Sequence, residues 1–174
     1  MVQGSGKIQE QVFSLTTRWI NSTKTLRAPL AFTLVRLFGE SFRIGIEHMP
    51  KSDKSFLVWN WRLLEATPKT PALAIGQSSA WPSSEVTGSA FSVTAAQALN
   101  ANWHAYLSAS FAPDQARWFL PAGLAYRLTP AFKARAMWDG NRLHPAISYQ
   151  QSDWGLSFFL LDGRDPTLSL SVGF

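Results

Sequence analysis

The chain has 174 residues, which favours a single domain. Charged residues are only 16%, below the usual quarter of a soluble domain, while the apolar fraction of 46% is ordinary, so Ser, Thr, Asn and Gln fill the difference. The absence of cysteine excludes disulfides and thiolate metal sites, and the net charge of +5 is spread without any Lys/Arg run longer than two, which argues against nucleic acid as a partner.

Met1 to Glu10 lacks a continuous apolar core, so no secretory signal is visible there, and residues 1–10 are expected to be a flexible segment ahead of one domain spanning 11–174. From there the chain alternates. Phe13, Leu15, Thr17 and Trp19 oppose Ser14, Thr16 and Arg18; residues 26–38 form a second apolar segment; Phe42, Ile44 and Ile46 oppose Arg43, Gly45 and Glu47. Leu57, Trp59, Trp61 and Leu63 oppose Val58, Asn60 and Arg62, and residues 71–78 follow. Phe91, Val93 and Ala95 oppose Ser92 and Thr94, and Trp103, Ala105, Leu107, Ala109 and Phe111 oppose His104, Tyr106, Ser108 and Ser110. The stretch from Val86 to Pro113 is free of charge, yet Thr87, Ser92, Thr94, Gln97, Asn100, Asn102 and His104 exclude a membrane helix there.

The C-terminal half is more regular. Ala122, Leu124, Tyr126 and Leu128 oppose Gly123, Ala125 and Arg127; Phe132, Ala134, Ala136 and Trp138 oppose Lys133, Arg135 and Met137. Leu143, Pro145, Ile147 and Tyr149 oppose His144, Ala146, Ser148 and Gln150; Trp154, Leu156, Phe158 and Leu160 oppose Gly155, Ser157, Phe159 and Leu161. Leu168, Leu170, Val172 and Phe174 oppose Thr167, Ser169, Ser171 and Gly173. Strict period two over segments of this length predicts strands. Asp139-Gly140 and Asp162-Gly163 are hairpin turns, Thr129-Pro130 and Ser152-Asp153 compact breaks. The fold expected is all-β, an antiparallel up-and-down meander closing into a barrel of about 10–12 strands. With twelve strands, the odd-numbered connections are longer on average than the even ones, as in membrane barrels.

One face of these strands is large and apolar, the other small or polar. Few charges stand on the small face, and most are basic: Arg18, Arg43, Arg62, Arg127, Lys133 and Arg135, with Glu47 as an acid. Facing a lumen, they would make it positive and favour anionic cargo, or they would pair internally and plug it. Trp19, Trp59, Trp61, Trp103, Trp138 and Trp154 fit interfacial girdles. The alternation itself serves two arrangements: a membrane barrel with the large residues outside, or a soluble or periplasmic barrel that binds an apolar ligand within.

The ending Leu168-Ser169-Leu170-Ser171-Val172-Gly173-Phe174 resembles the C-terminal signature of bacterial outer-membrane barrels. The resemblance implies that Leu168, Leu170, Val172 and Phe174 are an assembly signal read by the barrel assembly machinery, with outer-membrane lipid and other envelope proteins as partners. Residues 86–174, with Ser92 to Ala95, Leu124 to Pro130 and Trp138 to Gly140, resemble the barrel repeats of outer-membrane proteins linked to exopolysaccharide secretion, which implies polysaccharide export or envelope organisation.

No catalytic, cofactor-binding or metal-binding residue is expected. His48, His104 and His144 are not spaced as a metal pair, and no Gly-x-Ser-x-Gly elbow occurs. The enzymatic alternative is a lipid-modifying barrel built on His104 or His144 with Ser108, Ser110 or Ser148, which a His–Ser contact backed by a carboxylate would support. The leading expectation is a non-enzymatic outer-membrane barrel, structural or a narrow conduit.

Overall fold

The computed structural model describes residues 11–21, 28–79 and 88–174. The expected flexible segment 1–10 and the start of the 26–38 segment lie outside the described residues.

The strands are β1 (Phe13–Ile20), β2 (Leu30–Phe38), β3 (Phe42–Met49), β4 (Lys54–Leu64), β5 (Ala72–Ser79), β6 (Ser89–Ala98), β7 (Trp103–Ala112), β8 (Arg117–Phe119), β9 (Ala122–Arg127), β10 (Phe132–Trp138), β11 (Leu143–Gln150), β12 (Trp154–Leu161) and β13 (Asp165–Gly173). Consecutive strands pair antiparallel except that β8 and β9 both pair with β7, and β1 pairs with β13, which closes an all-β up-and-down barrel of twelve wall positions. Reciprocal backbone bonds between Phe13 and Phe174, at 2.8 and 2.9 Å, extend the closing seam to the last residue. Closure of β1 on β13 pairs the two edges that an open meander would leave exposed.

The eighth position, between β7 and β10, is filled by two pieces. β8 and β9 both pair with β7, on either side of Leu120-Pro121. Proline has no N–H to give the ladder, so the strand breaks there, although Pro121 O still accepts from the Ser108 N–H at 2.7 Å. The alternation starting at Ala122 marked only the second piece.

Register fixes the faces. Leu168 stands opposite Trp19 and Phe158, Ile147 opposite Ala134 and Phe158, and Ile46 opposite Leu34 and Leu57. All these large residues are solvent-accessible on the outside; Ile46 is 57% exposed and Leu107 59%. The interior takes the small and polar set. The arrangement that an apolar-ligand barrel needs, with the large residues pointing inward, is therefore not the one formed.

Gly45 has a steric role in the wall. A Cβ there would strike the Leu34 carbonyl oxygen and come within 2.7 Å of Val35 Cα, both backbone atoms of β2. Backbone cannot swing aside, so Gly45→Ala is expected to force β2 and β3 apart and cost about 1–3 kcal/mol, read as a lower urea midpoint of the folded barrel.

Candidate functional site

Antiparallel alternation puts the connections 39–41, 65–71, 99–102, 128–131 and 151–153 at the barrel end that holds both Phe13 and Phe174, and the others at the far end. The strand ends Ile20, Leu30, Ser79 and Ser89, which bracket the two longest connections, are at the far end.

Register places Arg18, Arg43, Arg62, Arg127, Lys133 and Arg135 on the inward face, together with Glu47. They do not form one cluster. Arg18 reaches Glu47 Oε1 at 3.8 Å, and the Thr33 hydroxyl donates to Glu47 Oε2 at 3.1 Å; the Glu47 side chain is 1% exposed. Arg62 donates to the Glu40 carbonyl at 2.9 Å and pairs with Glu65 at 2.8 Å. Arg135 donates to Ser148 at 2.6 Å, and Ser148 bonds Ser157 at 2.9 Å. Arg127 is exposed at the termini end. Further hydroxyl pairs line the same face, Thr16 with Ser171 at 2.9 Å and Thr94 with Ser108.

Beside these bonds a cavity of about 250 Å³ runs along the inner face of β2 to β6. Arg43, Arg62, Asn60, Ser92 and Thr94 line it, and it reaches the 39–41 turn at the termini end. Ala72, Ala74, Gly76 and Ala96 leave the room for it. Glu40 lines it too, so two guanidinium groups and one carboxylate stand among uncharged hydrogen-bonding groups.

The far end is filled instead. Inward-facing Ile20, Phe159 and Leu161 pack as a buried cluster, and Ala90, Ala112 and Phe119 form another. Next to the first, three polar side chains are closed off from solvent. His144 Nδ1 accepts the Asp162 backbone N–H at 2.8 Å, so Nε2 carries a proton and faces Asp139 Oδ2 at 2.9 Å. Asp139 Oδ1 accepts the N–H groups of Asn141 and Arg142 at 2.8 and 2.7 Å, and Arg142 lies 3.5 Å from the Asp162 carboxylate. The cluster thus clasps the hairpins 139–142 and 162–164 to β11.

Sequence reading placed the Asp-Gly turns and missed this clasp, because its three side chains come from two turns and a strand. At Asp139-Gly140 only the glycine has a positive φ, at 99°, and Asp139 serves as the side-chain acceptor that caps the turn. At Asp162-Gly163 both residues do, at 55° and 72°. The ligand-type atoms of Asp139, His144 and Asp162 lie within 4.8 Å of one another. His144 Nδ1 is taken by the Asp162 N–H, and Nε2 lies against the Asp139 carboxylate at 2.9 Å. The serine of β11, Ser148, is engaged by Arg135 and Ser157, and Ser108 by Thr94. The carboxylates behind His144 therefore do not complete the contact that the enzymatic alternative required.

Asp139 gives the clasp a pH dependence. Burial pushes its carboxyl up, but the His144 ring and the Arg142 and Asn141 N–H groups outweigh burial and hold it below the ordinary 3.8. A carboxyl depressed on folding contributes stability above the unfolded value and loses it as pH falls through the folded one. The barrel is therefore expected to melt at lower temperature as pH drops below about 4, and Asp139→Asn to flatten that part of the profile.

Outside, aromatic rings gather at the termini end. Phe13 stacks on Phe174 at 5.8 Å; Phe38 meets Phe42, Trp103 meets Tyr126 at 4.7 Å, Phe132 meets Tyr149 at 4.9 Å, and Tyr149 meets Trp154 at 5.5 Å. At the far end stand Trp19, Trp138 and the Phe111–Trp118 pair. Trp59 lies within the wall, donating to Gln77 at 2.9 Å.

No protein-family model matches the chain, and no curated protein matches it. Solved structures do. The NanC porin is similar over 93% of this chain and 98% of its own, at 9% identity and a TM-score of 0.52. A mutant of the Rh. blastica porin is similar at 11% identity over 83% of this chain and 55% of its own, with a TM-score of 0.41. What is shared with the NanC porin at 9% identity is the fold alone, a closed antiparallel barrel.

Proposed function

We propose that the protein is an outer-membrane β-barrel that forms a narrow, basic conduit for small anionic solutes. The observation that carries this reading is the inverted amphipathicity of the wall: large apolar residues exposed around the outside, rings at its rims, and guanidinium, hydroxyl and amide groups within. A surface of that kind is stable against acyl chains and not against water. The porin-type fold supports the same reading. The finer proposal, a part in polysaccharide export, rests on the resemblance of residues 86–174, and an anionic glycan suits the charge of the cavity.

A second reading, a plugged structural barrel, is favoured by the filling of the far end around Ile20, Phe159, Leu161 and the clasp. Reconstitution in planar bilayers separates the two. The conduit predicts single-channel steps whose reversal potential in a KCl gradient shows anion preference, reduced in Arg43→Gln and Arg62→Gln. Cation preference contradicts the conduit, and insertion without conductance establishes the plug.

A further inference from the structure

Among the described strands, Arg36 is the one Lys, Arg, Asp or Glu on the outward face; register sets it beside Phe13 on β1 and Ile44 on β3, and it is exposed. Its guanidinium carbon lies 5.4 Å from the Phe13 ring centroid and 4.6 Å from that of Phe38. Those rings belong to the aromatic girdle at the termini end, and Phe13 is itself stacked on Phe174. Contact with ring faces holds a guanidinium by its plane and leaves its edge N–H donors available. No carboxylate of the described residues pairs with it.

We infer that Arg36, held between Phe13 and Phe38, is a binding site on the outer wall for the phosphate of a net-anionic phospholipid headgroup, one whose charge no choline or ethanolamine ammonium offsets. The inference rests on the membrane reading above and adds a ligand to it. A guanidinium in a wall otherwise lined with Leu, Ile, Phe and Trp needs an anion at its own depth. Girdle aromatics sit at the headgroup level, where the anion offered is phosphate. The guanidinium edge matches phosphate in a bidentate pair. An ammonium reaches the same anion as a point charge without the planar fit, so Lys at this position keeps part of the effect.

The test folds the full chain into phosphatidylcholine vesicles with and without admixed phosphatidylglycerol, and counts lipids retained on the released barrel by native mass spectrometry. Wild type is expected to retain phosphatidylglycerol roughly fivefold over phosphatidylcholine. Arg36→Gln is expected to lose the preference and Arg36→Lys to keep part of it. Lys69→Gln, which removes an equal charge from the exposed 65–71 connection at the same end, is expected to keep it whole. Equal preference in wild type and Arg36→Gln overturns the site while the barrel still inserts. Failure of wild type to insert in either vesicle overturns the membrane reading, and the site with it.

Discussion

Glu47→Ala is expected to lower the stability of the barrel by about 3 kcal/mol, because it leaves the Arg18 guanidinium inside the wall without its counter-charge. The two side chains are 11% and 1% exposed, and Glu47 also accepts the Thr33 hydroxyl. The 3.8 Å separation makes this a loose pair, which puts the cost at the low end for a broken buried ion pair. Arg18→Met combined with Glu47→Leu removes both charges and is expected to recover most of the loss. Urea titrations of wild type, Glu47→Ala and the double variant in one vesicle preparation compare the two losses, and Glu47→Ala as stable as wild type would show that water inside the lumen already solvates both groups.

Ile147→Arg is the second large effect. Ile147 stands midway along β11, 45% exposed, between Ala134 and Phe158 on the neighbouring strands. A guanidinium at the middle of an acyl-facing wall costs about 2–4 kcal/mol, whereas the same change on a watered sheet stays within about 0.5. Leu143→Arg, at the rim end of the same strand, is expected to cost about 1 kcal/mol or less. The gradient between the two positions is the signature of a hydrocarbon layer. Equal and small costs at both would mean that the outer face is wet.

Much of the fold was legible because period two survives in most strands, and because closure of an even-numbered meander follows from even spacing. Leu168, Leu170, Val172 and Phe174 reveal their shared face without any structure; so do Phe132 to Trp138. The choice of inside from outside was not legible from alternation alone, since the same pattern suits a membrane barrel and a ligand-binding one. It depended on three-dimensional exposure. Pro121 broke the period that would have marked β8.

Less of the site was readable. The six basic residues could be named by face, but their partners lie across strands: Arg18 and Glu47 are separated by β2, and Arg135 meets Ser148 on β11. The clasp joins Asp139, His144 and Asp162 through turn geometry that no spacing rule encodes. Arg36 lies within residues 26–38, a segment whose faces could not be assigned from its run of apolar residues, so its isolation on the outer wall emerges only from pairing with β1 and β3.

The central claim is a closed barrel with its apolar face turned to lipid. Electrophoresis of the detergent-folded protein in dodecyl sulfate, with and without boiling, tests it most directly. A closed wall resists the detergent, so the unboiled sample is expected to migrate as a distinct compact band that converts on heating to the position of the unfolded chain. One band at one position under both conditions, from a protein that stays dissolved in plain buffer, would contradict the account.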